Sequence, residues 1–310
     1  QMPRLLEIAM RTAIEKQGVA VLVITGDTAS QDAVSDRVPE VRRSSPVTVP
    51  SPAELQEAAD TLNSCGNVTI LAGGGVEGAR EEVLALADAL GAPIVHALRG
   101  KEFIEWDNPF DVGMTGLLGF ASGYRAMESC DALLMLGTDF PYQQFYPEKA
   151  KILQIDIRGE QLGRRAPLTQ GMVGGVRETA EALLPLLERK QDRTHLEKSL
   201  DHYRRTRAQL DDLEKQGPGP IHPQHLTHLI DELADEDAVF LPDVGTPVIW
   251  ACRHLHIGPR RRLIGSFWHG TMAAATPLGL GAQAVDRNRQ VVVLAGDGGL
   301  AMMLGELLTA

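Results

Sequence analysis

An apolar run, Val291-Val292-Val293-Leu294-Ala295, leads directly into Gly296-Asp297-Gly298-Gly299. One carboxylate among glycines after such a run is suited to holding a divalent cation against a diphosphate. Mg2+ demands hard oxygen ligands in octahedral geometry. A carboxylate supplies one of them, and glycines let backbone N–H groups approach the phosphates. Asp297 is therefore a candidate metal ligand, with Gly298 and Gly299 beside the diphosphate. The same residues also read as a plain turn in which Asp297 caps the helix expected over 300–310.

A second glycine run, Gly73-Gly74-Gly75-Val76-Glu77-Gly78, matches G-x-G-x-x-G between an expected strand and an expected helix. That is the form of a pyrophosphate-binding turn. A nicotinamide-type site also wants an acid about 20 residues on, but the next strand ends in His96-Ala97-Leu98-Arg99. A tight turn, or a dinucleotide held in another manner, fits these residues better. Three later loops carry small or polar residues: 113–119, 137–141, and Asp156 closing Gln154-Ile155-Asp156. Ligands of open parallel sheets sit outside the carboxyl ends of strands. Asp156 could hold a ribose hydroxyl, or only cap a helix. Arg99 and Lys101 could neutralise a pyrophosphate, or be surface charges.

The elements that would position these residues alternate. Ser51-Pro52-Ala53-Glu54 has the form of a capping box with Pro at the first helical position. After that helix the spacing predicts strands over 68–72, 93–97, 132–136 and 152–157, with helices over 77–90 and about 177–188. Strands alternating with helices predict an α/β fold with a parallel sheet covered on both faces. Residues 46–190 form the complete unit of this kind. A charged connector spans 189–220. Beyond it the pattern predicts a helix over 222–233, a strand over 238–241, a helix over 247–256, a small-residue helix over 273–284 and a buried strand over 291–295. At the other end, residues 1–18 have helical spacing and 19–24 read as a buried strand, with a linker over 28–50. A lone helix and strand cannot bury their own faces, so residues 1–27 are expected to be the tail of a further domain, and the chain a fragment.

The chain has 310 residues, and at roughly 100–200 residues per domain that length fits two domains or one with parts of others. Acidic residues outnumber basic ones 41 to 30, for a net charge of −11. Nucleic acid is a poor partner for such a chain, because phosphate binding needs a basic face. No apolar run approaches the ~20 residues of a membrane span, and the first residues lack a signal-peptide pattern. The three cysteines form no CxxC motif, which argues against zinc and a disulfide framework and for a reducing cytoplasm.

Taken as ordered blocks, Leu98-Arg99-Gly100-Lys101-Glu102, Asp107-Asn108-Pro109, Asp111-Val112-Gly113-Met114-Thr115-Gly116, Phe145-Tyr146-Pro147, Asp243-Val244-Gly245-Thr246-Pro247, His269-Gly270 and Gly296-Asp297-Gly298-Gly299 resemble the pyruvate oxidase family, enzymes dependent on thiamine diphosphate and FAD, and within it the bacterial pyruvate:quinone oxidoreductases. The resemblance implies three successive α/β domains: the end of a pyrimidine-binding domain at 1–27, a central FAD domain at 46–190, and the first half of a diphosphate-binding domain at 221–310. It implies FAD contacts at Thr115, Gly116, Leu117, Leu118, Thr138, Asp139, Phe140, Pro141, Tyr142 and Asp156. It implies thiamine diphosphate contacts at Gly270, Thr271, Met272, Asp297, Gly298 and Gly299, with Mg2+ on Asp297. Met272 would prop the bent thiamine. The activating glutamate of the family lies outside these residues, as do the second Mg2+ ligand and a C-terminal membrane-binding tail, so the chain by itself is expected to be inactive. Trp268 stands where the resemblance implies a small polar residue. The activity implied is oxidation of pyruvate to acetate and CO2, with electrons passing through FAD to a membrane quinone. The enzyme would be a homotetramer in the cytoplasm, peripheral at the inner face of the membrane. Acetolactate synthase, a carboligase that binds FAD without using it for redox, is the nearest rival; a non-catalytic protein keeping the fold is another.

Overall fold

The computed structural model describes residues 1–16, 18–33, 46–215 and 217–310. They divide into two compact units, Gln1–Val47 and Thr48–Ala310. The first unit contains a helix over Met2–Glu15 and a short one over Gly26–Ala29. Residues 19–24, expected as a buried strand, form none, and Val19, Val21 and Val23 are exposed. An extended segment needs a neighbouring strand to take its N–H and C=O groups, and no strand occurs among the described residues of this unit. Most of the expected linker, residues 34–45, lies outside the described residues.

The second unit has the α/β architecture read from the sequence. Its larger sheet is six-stranded and wholly parallel: β1 (Val68–Ala72), β2 (Ile94–His96), β3 (Asp111–Met114), β4 (Ala132–Leu136), β5 (Lys151–Asp156) and β6 (Gln170–Val173), in the order β3-β2-β1-β4-β5-β6. Helices on the two faces bury it, so β1 and β4 are buried at every residue. Helix Pro52–Ser64 opens with the expected capping box, Ser51 and Glu54 each accepting from the other's backbone N–H. Helix Arg80–Leu90 starts later than expected, because a single 3-10 turn at Gly74–Val76 comes first.

β3, β6 and helix Ala121–Glu128 have no counterpart in the sequence pattern. The helix, Ala-Ser-Gly-Tyr-Arg-Ala-Met-Glu, carries poor helix formers. Tertiary bonds hold it: Ser122 Oγ donates to Val112 O at 2.9 Å and Thr69 Oγ1 to Ala126 O at 2.8 Å.

A second, smaller parallel sheet contains β7 (Val239–Pro242), β8 (Arg262–Leu263) and β9 (Val291–Leu294), in the order β8-β7-β9. β7 is buried throughout, whereas β9, expected as a buried strand, is only half-buried because it is an edge. The connector is an α-helix over Thr194–Leu213. Its Leu210 joins Met114, Phe120, Val248 and Cys252 in one apolar cluster, with Tyr203 and Phe267 against it, so the two sheets share a packed contact. Arg253 adds to it, donating to Leu118 O at 3.1 Å and to Gly119 O at 3.2 Å. No helix among the described residues is long and apolar enough to cross a membrane.

Candidate functional site

In the order β3-β2-β1-β4-β5-β6 the direction of winding reverses between β1 and β4, and the crevice outside the carboxyl ends of those two strands is where such sheets bind ligands. The first glycine run opens this crevice but is occupied by packing. Gly73 N donates to Leu136 O at 3.0 Å and Gly75 N to Gly137 O at 2.9 Å. A Cβ on Gly73 would lie 2.5 Å from Gly137 O, and one on Gly75 would lie 2.6 Å from Gly137 Cα. These glycines bring two backbones together; among the readings of the G-x-G-x-x-G run, the tight turn is the one built here.

The residues expected to touch FAD gather at the same edge. Thr115 follows β3; its Oγ1 is buried and has no hydrogen-bond partner among the described residues. Gly116, at φ +99°, lies under the rings of Phe140 and Tyr142, which a Cβ would meet at 3.0 and 3.2 Å. Leu117 is exposed, and Leu118 joins the cluster between the sheets. Thr138 is buried against Gly73, and its carbonyl accepts from Gln154 Nε2 at 3.1 Å. Phe140 belongs to an aromatic group with Tyr142, Phe145 and Tyr146, and Pro141 is exposed. Asp156 closes β5, buried, with Oδ1 accepting from Arg158 N at 2.9 Å. Burial pushes its carboxyl above the ordinary range despite that bond. A carboxylate kept out of water with unused acceptor capacity suits a hydroxyl-bearing ligand.

Two residues have other duties. Asp139 is held by both arms of Arg165, at 2.9 and 3.1 Å, so its carboxylate braces the 139–165 contact. Lys101 is buried and paired with Glu105, which lies 3.2 Å from His96, so it is not available to a pyrophosphate in the crevice. Arg99 is exposed at the crevice mouth, its guanidinium carbon 3.5 Å from where a Gly74 Cβ would stand. A cavity of ≈ 840 Å³ beside Lys101 and Glu105 includes Glu236, Arg260 and Arg261, which precede β7 and β8. It therefore belongs to the amino-terminal edge of the smaller sheet, opposite Asp297.

At the carboxyl edge of that smaller sheet the expected thiamine residues converge. Met272 Cε lies 3.6 Å from where a Gly298 Cβ would stand, and Gly270 faces Val244. The organising residue is one that sequence reasoning missed as a site: Asp243, buried after β7, accepts from Val244 N at 2.9 Å and from Ala273 N at 2.9 Å. It holds Ala273 at φ +65°, a conformation rare for a residue with a side chain. Gly299 packs so closely on the Asp243 carboxylate that no Cβ fits. Asp243 thus ties the ends of β7 and β9 to the 265–273 loop. A strand-end Asp followed by Val-Gly was the available signal. Thr271 is held by Ser266, whose Oγ accepts from its backbone N–H at 3.2 Å.

Asp297 is the first residue of helix Asp297–Met302, which ends sooner than expected and is followed by a 3-10 stretch over Leu304–Leu308. Gly296, not Asp297, is the N-cap, and no side chain caps the helix. Among the described residues the exposed Asp297 carboxylate makes no hydrogen bond or ion pair, which leaves its oxygens open to a cation. Among the described residues no group of three or more His, Cys, Asp or Glu is placed to hold a metal ion. Asp297→Asn should leave the melting temperature of the cofactor-free protein nearly unchanged. It should weaken Mg2+-dependent thiamine diphosphate binding, read by calorimetry, by at least about tenfold, ~1.4 kcal/mol. Wild-type Mg2+ dependence in the variant would remove Asp297 from the metal site.

Comparison with known proteins gives a consistent result. Residues 55–183 match the thiamine pyrophosphate enzyme central domain, and residues 243–310 the thiamine pyrophosphate enzyme C-terminal TPP binding domain. The chain is 34% identical over 318 residues to the putative thiamine pyrophosphate-containing protein YdaP of Bacillus subtilis, covering 100% of this chain and 54% of that one. It is 29% identical over 280 residues to a probable acetolactate synthase large subunit of Methanocaldococcus jannaschii (85% and 47%). It is 26% identical over 314 residues to the pyruvate oxidase of Lactiplantibacillus plantarum (99% and 52%). The chain spans about half the length of the curated relatives it matches.

Proposed function

We propose, from the premise that this chain belongs to the thiamine pyrophosphate enzyme family, that the whole protein oxidises pyruvate to acetate and CO2, passing electrons through FAD to a quinone. The observation that carries the flavin part is the crevice between β1 and β4. It is rimmed by Asp156, a carboxylate that burial keeps above its ordinary pKa and whose one hydrogen bond leaves acceptor capacity unused. A dinucleotide would bring ribose hydroxyls to that carboxylate. Support for thiamine diphosphate comes from the smaller sheet, where Gly296, with open space about its Cα, and the exposed Asp297 follow β9, and Asp243 ties the 265–273 loop beside them.

When bound, thiamine diphosphate supplies the electron sink for decarboxylation and FAD the two-electron acceptor. The residues present bind and orient. Asp297 would hold Mg2+, Asp243 fixes the 265–273 loop, and Met272, 53% exposed, stands free to support a ring. A membrane quinone as acceptor, a peripheral location at the inner face of the membrane and a homotetramer complete the proposal.

The second reading, an acetolactate synthase-like carboligase, is favoured by the likeness to acetolactate synthase large subunits. Both readings use the crevice, so the product decides. The whole protein, given pyruvate, Mg2+, thiamine diphosphate, FAD and a soluble quinone, should form acetate and reduced quinone in equal amounts. Acetolactate with no quinone reduced would establish the second reading.

A further inference from the structure

The loop after β8 faces both candidate cofactor sites. Phe267 is its anchor, packed into the apolar clusters beneath the smaller sheet and between the two sheets. Gly270 N donates to Ser266 O at 2.8 Å, and Ser266 Oγ donates to Thr271 Oγ1 at 3.0 Å, so the turn between them is closed on itself. Asp243 fixes its far end at Ala273. On one side the loop lays Met272 against Gly298.

On the other side it carries Trp268, 58% exposed. The Arg99 guanidinium stands 5.3 Å from the indole centroid and the Arg158 guanidinium 5.9 Å. Arg99 follows β2 and Arg158 follows β5, and these strands flank β1 and β4. The two cations thus come from opposite sides of the crevice and meet on one indole. An exposed indole held by two guanidiniums across a binding crevice offers a π-face and positive charge together. That combination matches a diphosphate joined to a flat aromatic ring.

We propose that Trp268, with Arg99 and Arg158, is a contact for the dinucleotide in the crevice, and that the loop it shares with Met272 makes FAD and thiamine diphosphate binding mutually dependent. This rests on the flavin reading above. The loop is short, pinned at both ends and hydrogen-bonded within itself. It therefore moves as a unit, so placing Trp268 against one ligand also places Met272 for the other, and that shared placement couples the two. Coupling of binding is reciprocal: whatever factor thiamine diphosphate adds to FAD affinity, FAD must add to thiamine diphosphate affinity.

The test is titration of the cofactor-free whole protein with FAD, with and without Mg2+ and thiamine diphosphate, followed by flavin fluorescence. The reverse titration follows by calorimetry. In the wild type each cofactor should tighten the other by the same factor, several-fold or more. Trp268→Ala should lower FAD affinity about tenfold, ~1.4 kcal/mol, and bring the coupling factor close to one. It should leave thiamine diphosphate affinity without FAD unchanged. Trp268→Phe, which keeps an aromatic face, should recover most of the loss. Wild-type FAD affinity and coupling in Trp268→Ala would overturn the proposal and leave the flavin site standing. A wild-type protein that binds no FAD would overturn the flavin reading and this proposal with it. If Trp268→Ala does not fold, Trp268→Leu and Arg99→Gln decide: undiminished coupling in both overturns it.

Discussion

Gly137→Ala is expected to be the most destabilising single-methyl change in the larger sheet. Gly137 sits at φ +56°, and a Cβ there would overlap the Cα of Gly75. The left-handed backbone costs a residue with a side chain about 1–2 kcal/mol. Overpacking against a backbone that cannot yield adds about 1–3 kcal/mol. Gly75 has nowhere to go, since its N–H is bonded to Gly137 O and it lies just past the central strand β1. A total of about 2–5 kcal/mol should lower the melting temperature by roughly 5–20 °C. Gly281→Ala is the matched control. It lies in helix Ala275–Val285 with nothing within 4 Å of its would-be Cβ, so alanine should be neutral or slightly stabilising there. Equal melting temperatures for Gly137→Ala and the wild type would show that the two backbones part easily, and that the glycine run is free for a ligand after all.

This contact shows where the sequence was legible. The apolar runs over 68–72 and 132–136 became strands with those bounds because a strand buried on both faces needs apolar residues throughout. The glycine run after β1 announced a close approach but could not say to what. The partner, Gly137, is far along the chain, and only the strand order brings β1 and β4 together. β3 and β6 were hidden for a related reason. Asp-Val-Gly-Met and Gln-Gly-Met-Val are too short and too polar to show a period, and their strand character comes from the neighbours they pair with.

The candidate site divides the same way. Asp297 and Asp156 stood out because a lone carboxylate after an apolar run is a local pattern. Asp243 stood only within a block of resemblance, because its role depends on reaching the amide of Ala273 and the surface of Gly299. Asp139 looked equivalent to Asp156 in the sequence, since both close on the carboxyl side of a strand. Arg165 separates them: it grips the Asp139 carboxylate with two bonds, whereas the nearest guanidinium to Asp156 is the exposed Arg158, at 3.9 Å.

That separation makes Asp156→Ala informative. Burial raises the Asp156 carboxyl above its unfolded value. For an acid, a raised folded-state pKa means stability that is present when the group is protonated and is lost as pH rises through that pKa. At neutral pH the folded protein therefore holds this carboxylate at a cost. Alanine removes that cost and gives up the bond from Arg158 N and the 3.9 Å ion pair with the Arg158 guanidinium, both on an exposed residue that water can solvate. The cofactor-free variant should be as stable as the wild type at pH 7, or more so. Its flavin affinity should nevertheless fall about ten- to a hundredfold, because a hydrogen bond to a charged acceptor contributes about 1.5–3 kcal/mol. Asp139→Ala should do the opposite, lowering stability by breaking a two-armed ion pair while changing flavin affinity little. In the wild type, flavin affinity should weaken as pH falls, beginning above the ~3.9 at which an ordinary aspartate titrates, and that pH dependence should vanish in Asp156→Ala. Retained flavin and an unaltered pH profile in the alanine variant would make Asp156 a loop brace like Asp139, and would leave the crevice without its ribose contact.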